Sequence, residues 1–221
     1  MATTVQTARG SGIAELLFAL ADGEGSATHP YVAALCAASA APRDLADAIH
    51  ALGMLHGRFP GVIDYAAERN PRRIAAEWLE ASAAGFSRER GLLTKLVVAS
   101  GPLPSTPGQA ESEAAVANQH HALAMLAQSD RTGCALGAAL AFMLDWRAIR
   151  RVLDAAAHRL SIPAPAMMLP LDEETREVAT TLSGEPAVER AIAFGAQQVL
   201  VQHRGLWDLL ETRRAARRDT A

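Results

Sequence analysis

Apolar residues recur along this chain at the three- and four-residue spacing of amphipathic helices, and the alternation typical of strands is nearly absent. Several of the predicted helices have a proline in the first turn, a position where proline is common. The spacing predicts helices at about 11–22, 30–40, 42–56, 61–69, 71–84, 87–100, 110–129, 132–160, 171–182 and 186–216. We therefore expect an all-α fold, a single-domain multi-helix bundle of about 8–10 helices over residues 1–221, with disordered termini at 1–10 and 217–221.

Glycines and prolines indicate where the predicted helices end and where the connections between them lie. Gly57 and Gly85 are expected to end helices, and Ser87 is expected to cap the start of the next one. Two Pro-rich segments, 100–109 and 161–170, cannot continue a helix. They are interpreted as crossovers within one domain rather than as linkers between two.

The segment from Gly133 to Leu144, GCALGAALAFML, is apolar on all sides. A helix of that kind is expected at the centre of the bundle. Gly133, Gly137 and Ala141 lie four residues apart, which would let a second helix approach closely.

A few polar side chains fall on otherwise apolar helix faces when residues are placed at about 100° per position. They are His56, Gln119, His120, Asp145 and His203. The three histidines and Asp145 each have a structural explanation: His56 is expected to interact with the carbonyl end of its helix, with Gly57 following as a left-handed residue. Asp145 forms an ion pair with an arginine, and the other two histidines satisfy core hydrogen bonds.

Taken together, the same residues predict an interior polar pocket that binds a small molecule or a metal. Three histidines and one carboxylate suit zinc or iron, and they also suit general acid–base chemistry, with Asp145 orienting a histidine or acting as base. The Glu-x-x-His pairs of di-iron bundles are missing from the apolar faces. The alternative is a non-catalytic interaction or regulatory module. The sequence decides neither the reaction nor any cofactor.

Composition narrows the possible partners. The net charge of -3 gives no reason to expect nucleic acid, and the longest apolar run is shorter than the ~20 residues of a membrane span. A helix-turn-helix at residues 81–93 is disfavoured by Gly91.

Cys36 and Cys134 are expected to be free, buried thiols of a cytoplasmic protein. A homo-oligomer is expected, because Ala-rich bundles often complete their core across a two-fold axis.

The segments HALGMLHGRFPGVIDYAAER (50–69) and DWRAIRRVLD (145–154) resemble an uncharacterised bacterial all-helical family known only as a domain of unknown function. That resemblance implies the helical fold over most of the chain and transfers no mechanism. In length and helix number the chain is also similar to the heme-oxygenase-like and thiaminase-like bundles. The catalytic cysteine, glutamate and aromatic residues of the thiaminase-like enzymes have no counterparts here, and His29 is the only early candidate for a heme ligand.

Overall fold

The computed structural model describes residues 12–68, 75–103, 108–182 and 184–219, and this part of the chain is all-α, without a strand. A short 3-10 turn, Ser26–Thr28, follows the first helix. The helices are α1 (Ile13–Glu24), α2 (Pro30–Cys36), α3 (Pro42–His56), α4 (Val62–Glu68), α5 (Ala76–Ala99), α6 (Gln109–Ala127), α7 (Cys134–Arg159), α8 (Asp172–Thr181) and α9 (Pro186–Asp219). The prediction of an all-α, single-domain bundle is confirmed.

Helix α7 lies at the centre and packs most extensively against α9. The two helices approach so closely that a Cβ on Gly137 would overlap the backbone of Ile192, and one on Gly195 would overlap the carbonyl oxygen of Cys134. Glycine is therefore needed on both sides of this crossing. The prediction that small residues allow a close approach in this segment agrees with the contact at Gly137.

The predicted break between helices 71–84 and 87–100 is wrong. Helix α5 is continuous from Ala76 to Ala99, and the predicted start at residue 71 lies outside the described residues. Gly85 lies inside this helix and does not end one. A Cβ at this position would overlap the carbonyl oxygen of Met168. Its role is to let another segment cross α5, so Ser87 lies inside the helix instead of capping one.

Two further helix ends need comment. Helix α3 ends at His56 as predicted, but Gly57 has a φ of -74° and is not left-handed. Helix α9 continues to Asp219, into the predicted disordered segment 217–221. The other predicted disordered segment, 1–10, lies outside the described residues. No helix in the described ranges is both long and apolar enough to cross a membrane.

An extended segment, residues 161–171, joins α7 to α8; we call it the strap. Two arginines of α7 hold it by its backbone: Arg150 donates to the carbonyl oxygen of Pro165 at 2.5 Å, and Arg147 to that of Pro170 at 2.7 Å. The strap crosses α5 at Gly85. It therefore connects the central helix with α5 and α8 without secondary structure of its own.

Candidate functional site

Polar side chains from four elements meet in the core between α3, α7 and α9. We call Ser26, His56, Asp145, His203 and Trp207 the histidine cluster. Each of the five is at most 5% exposed. Asp145 comes from the central helix, His203 and Trp207 from α9, His56 from the end of α3, and Ser26 from the 3-10 turn.

The carboxylate of Asp145 is held by three short hydrogen bonds. The backbone N–H of Ser26 donates to Oδ1, and the Ser26 hydroxyl and the Nδ1 of His203 both lie 2.6 Å from Oδ2. The N–H to Oδ1 distance is also 2.6 Å. Trp207 Nε1 donates to the Ser26 hydroxyl oxygen at 2.8 Å. Gly25 allows this approach, because a Cβ there would lie 2.8 Å from Oδ1. Donors thus take the place of water around a buried charge.

These hydrogen bonds decide the orientation of His203. An ionised carboxylate only accepts hydrogen bonds, so Nδ1 of His203 carries the hydrogen and donates to Asp145. In the neutral ring, Nε2 is then an acceptor. This Nε2 is buried and has no hydrogen-bond partner in the structure. The aspartate therefore decides which nitrogen of His203 faces the core without a partner.

His56 brings a second imidazole to the same place. Its ring centre lies 5.0 Å from that of His203, with the ring planes at 89°, and its Nε2 is also buried without a partner. Burial lowers the pKa of His56 well below the usual histidine value, and the nearby His203, His120 and Arg90 lower it further. His56 is therefore neutral at pH 7.

Aromatic rings enclose the histidine pair. The His56 ring meets Phe142 edge-on at 4.9 Å and Trp146 at 5.6 Å between ring centres, and Phe86 packs on both of these rings. Such a lining strengthens electrostatic interactions by keeping the local dielectric low. A hydrogen bond made here would be stronger than the same bond at the surface.

The cluster lies between two concave features. Asp145 borders an open surface pocket of about 320 Å³, together with Phe18, Arg147 and Arg151. On the other side, His56 borders a narrow cavity of about 20 Å³, with His120 also in its lining. That cavity has room for about one water molecule. Asp145 therefore borders the surface pocket, and His56 and His120 border the cavity.

The five predicted site residues divide into two groups. Asp145, His203 and His56 come together in the histidine cluster. His120 borders the cavity beside His56, and its Nδ1 lies 3.0 Å from the carbonyl oxygen of Leu55. Gln119 donates instead to the carbonyl oxygen of Gln202 at 3.1 Å, between α6 and α9. Ligand binding by these residues stays a prediction.

The structural explanation for Asp145 expected an arginine partner, and the pocket hypothesis expected it to orient a histidine; the partners found are His203 and Ser26. Ser26 was not foreseen, because it lies in a short irregular turn where helical periodicity gives no information. Its one sequence signal is the neighbouring Gly25, which permits close backbone approach.

A second buried polar group was also missed. The spacing along α7 puts Arg150 on the polar face with Asp154, four residues on, and their hydrogen bond is present at 2.8 Å. The arginine is nonetheless buried, at 5% exposed, and donates to fully buried Glu89 at 2.5 Å. Trp146 Nε1 donates to the other oxygen of Glu89 at 3.0 Å. Periodicity along α7 alone does not show that α5 and the strap cover this side.

The geometry limits the chemistry. Ser26 is not arranged as a nucleophile, because its hydroxyl donates to Asp145 and lies beside Nδ1 rather than Nε2 of His203. Among the described residues, no group of three or more His, Cys, Asp or Glu side chains is arranged to hold a metal ion. What the cluster offers is a carboxylate-oriented imidazole next to a neutral imidazole.

Comparison with known proteins gives a family and no activity. Residues 21–218 match the model of a Family of unknown function (DUF6975), and the chain belongs to that family. The prediction of an uncharacterised helical domain is confirmed in this respect. No curated protein and no solved structure matches the chain. The similarity in build to heme-oxygenase-like bundles stays a prediction.

Proposed function

We propose that this member of a family of unknown function binds a small polar molecule at the His56–His203 pair. The observation that carries the proposal is the pair of buried Nε2 atoms without partners, one in a ring whose tautomer Asp145 sets. A buried polar atom left unpaired costs about 1–3 kcal/mol. Two such atoms on adjacent rings are therefore best explained by a molecule that hydrogen-bonds to them.

The environment defines the class of ligand. His203 Nε2 requires an O–H or N–H donor, and the aromatic lining and the lowered pKa of His56 disfavour a charged group. The cavity beside His56 has room for about one water. We therefore expect a neutral, water-sized molecule with a hydrogen-bond donor, or one of a few heavy atoms that displaces the wall of the cavity.

The loop after α3 forms part of that wall. Arg58, Pro60 and Gly61 border the cavity, and Phe59, which is 75% exposed, lies over the Arg90 guanidinium at 5.5 Å. This loop has few buried contacts of its own, so it is the part of the wall that moves at the lowest cost. Access to His56 from solvent is expected here.

Formamide is a suitable probe, because it has three heavy atoms and both a donor and an acceptor. At the upper limit of about 1.5 kcal/mol per heavy atom, its dissociation constant would lie near the millimolar range. Titration into ¹⁵N-histidine-labelled protein should give a saturable shift of the His203 Nε2 resonance. His56→Leu should weaken binding at least fivefold.

His121→Leu is the matched control, because His121 is an exposed histidine on α6. It should leave the titration unchanged. The proposal fails if the shift of His203 rises linearly without saturation, or if His121→Leu weakens binding as much as His56→Leu. Loss of formamide binding on dialysis against a chelator would point to a metal instead.

We also propose that the protein works in the bacterial cytoplasm as a homo-oligomer. Two free thiols, the half-buried Cys36 and the buried Cys134, support a reducing compartment. Burial raises the pKa of both, which keeps them unreactive at neutral pH. Light scattering on the purified protein tests the oligomeric state, and a monomer at all concentrations would refute that part.

A further inference from the structure

A concave feature larger than the two beside the histidine cluster lies away from that cluster. It is an open groove of about 1000 Å³ between the start of α5, the strap and α8. Met167, Met168 and Leu171 of the strap form one wall, and Trp78 and Val178 complete the apolar lining. We call this feature the acidic groove because of the charges described next.

The charges along the groove have one sign. Glu77 at the start of α5 and Glu174 and Glu177 on α8 border it, and all three are exposed. No lysine, arginine or histidine is among the described residues that border it. A groove with an apolar floor and carboxylates at its edge complements a segment that carries apolar and basic residues together.

Two apolar side chains of the strap project into solvent. Met168 is 57% and Leu171 is 62% exposed, although the strap between them is held down by the burial of Leu169 and Pro170. Methionine side chains adapt to the shape of a partner, and they are common on surfaces that bind helices. The strap backbone is held in place while the Met168 and Leu171 side chains are exposed. This arrangement is expected of a docking surface rather than of a loop that packs poorly.

The form of the partner follows from the backbone of the strap. Addition of a strand requires a row of free N–H and C=O groups, and the strap has prolines at 163, 165 and 170, which lack an N–H. Two of these prolines also have their carbonyl oxygens bound by arginines. Recognition must therefore use side chains, which favours a helix lying in the groove.

We propose that the acidic groove binds a basic amphipathic helix of a partner protein. Apolar residues of that helix, spaced three and four apart, contact Met168, Leu171 and Trp78. Lysine or arginine residues beside them face Glu77 and Glu177. The proposal is independent of ligand binding at the histidine cluster, because the two sites share no lining residue.

The probe is a fluorescein-labelled synthetic helix with leucines at i, i+4 and i+7 and lysines at the flanking positions, measured by fluorescence anisotropy against the full chain. A second peptide keeps the leucines and replaces every lysine with glutamate. The basic peptide should bind at least tenfold more tightly than the acidic one, and the difference should shrink at high salt.

Variants locate the binding. Met168→Asp should weaken the basic peptide about tenfold or more, as expected for an apolar anchor. Glu77→Gln and Glu177→Gln should each weaken it about two- to fivefold, as expected for exposed charge pairs. Met125→Asp is the matched control, because Met125 is a similarly exposed methionine on α6, at 63%. It should have no effect.

Three results would overturn the proposal. The two peptides could bind equally, or neither could bind at millimolar concentration. Met125→Asp could weaken binding as much as Met168→Asp. Finally, the chain could self-associate through this face, seen as a dimer that Met168→Asp dissociates while the peptide does not bind; the occupant would then be a second copy.

Discussion

Replacing Asp145 with asparagine tests the central feature of the site with a change of one atom. The carboxylate accepts from the Ser26 N–H, the Ser26 hydroxyl and His203 Nδ1. An amide has one oxygen, so it cannot accept all three. In the favoured orientation the amide oxygen accepts from the Ser26 N–H. The amide NH₂ then faces the Ser26 hydroxyl oxygen and Nδ1 of His203, and both of these atoms must accept hydrogen bonds from it.

The magnitude follows from the change in hydrogen-bond type. Hydrogen bonds to a charged group contribute about 1.5–3 kcal/mol each, and neutral ones about 0.5–1.5. Three bonds that each lose about 1 kcal/mol lower the free energy of unfolding by ~3 kcal/mol. For a chain of this length that is a fall in Tm of roughly 6–12 °C. The variant is expected to remain folded, because total stabilities are about 5–15 kcal/mol.

Urea denaturation measures the free energy of unfolding, and ¹⁵N NMR of the histidine side chains shows which ring nitrogen of His203 carries the hydrogen. His203 should change from Nδ1–H to Nε2–H in Asp145→Asn, because Nδ1 must become an acceptor. Asp208→Asn is the matched control: Asp208 also lies 3.0 Å from a histidine, His29, but its side chain is 65% exposed. That variant should change stability by less than about 0.5 kcal/mol.

The reasoning is refuted if Asp145→Asn costs no more than Asp208→Asn. It is also refuted if His203 keeps its hydrogen on Nδ1 in the variant, because the aspartate would then not set the tautomer. A tautomer change accompanied by unchanged formamide binding would contradict the proposed function while leaving the structural argument intact.

Other consequences follow from the core. Gly137→Ala should lower the free energy of unfolding by about 1–3 kcal/mol. Gly91→Ala, where a Cβ meets nothing within 4 Å, should raise the free energy of unfolding by about 0.5–1 kcal/mol. Thermal denaturation compares the two variants, and equal shifts in Tm would contradict the close crossing of α7 and α9. Burial lowers the pKa of folded His56, so the unfolded chain takes up its proton first as the pH falls below about 6.5. Stability is then lost with acidity at up to about 1.4 kcal/mol per pH unit, and His56→Leu should remove this part of the slope in denaturation series from pH 7 to 5. Arg150→Met should cost about 3–5 kcal/mol in urea denaturation by leaving the Glu89 carboxylate buried without its cation, and adding Glu89→Gln should recover part of that loss.

The sequence was informative wherever a residue belongs to a long helix with a clear apolar face. His56, Asp145 and His203 were expected to point inward, because position around a helix depends only on spacing within that helix. Their meeting was not predictable, because distances between helices depend on how the helices pack. The all-α fold was predictable for the same reason as the inward faces.

Residues outside that pattern were missed or misplaced for physical reasons. Ser26 lies in a turn, so no periodicity points to its role as the main donor to Asp145. Arg150 lies at the edge of the apolar stripe of α7, and α5 and the strap cover that side and bury it. Gly85 has the composition of a helix end and instead serves a crossing, since a glycine within a helix and one that ends a helix look alike in sequence.

Helix α7 links the two proposed sites. Asp145 on its inner side fixes the orientation of His203, and Arg147 and Arg150, two and five residues further along, hold the strap that forms a wall of the acidic groove. Trp146 lies between them and touches both sides, because its ring packs on His56 and its N–H donates to Glu89, the partner of Arg150. A displacement of α7 would therefore also displace the backbone of the strap, because Arg147 and Arg150 are hydrogen-bonded to it.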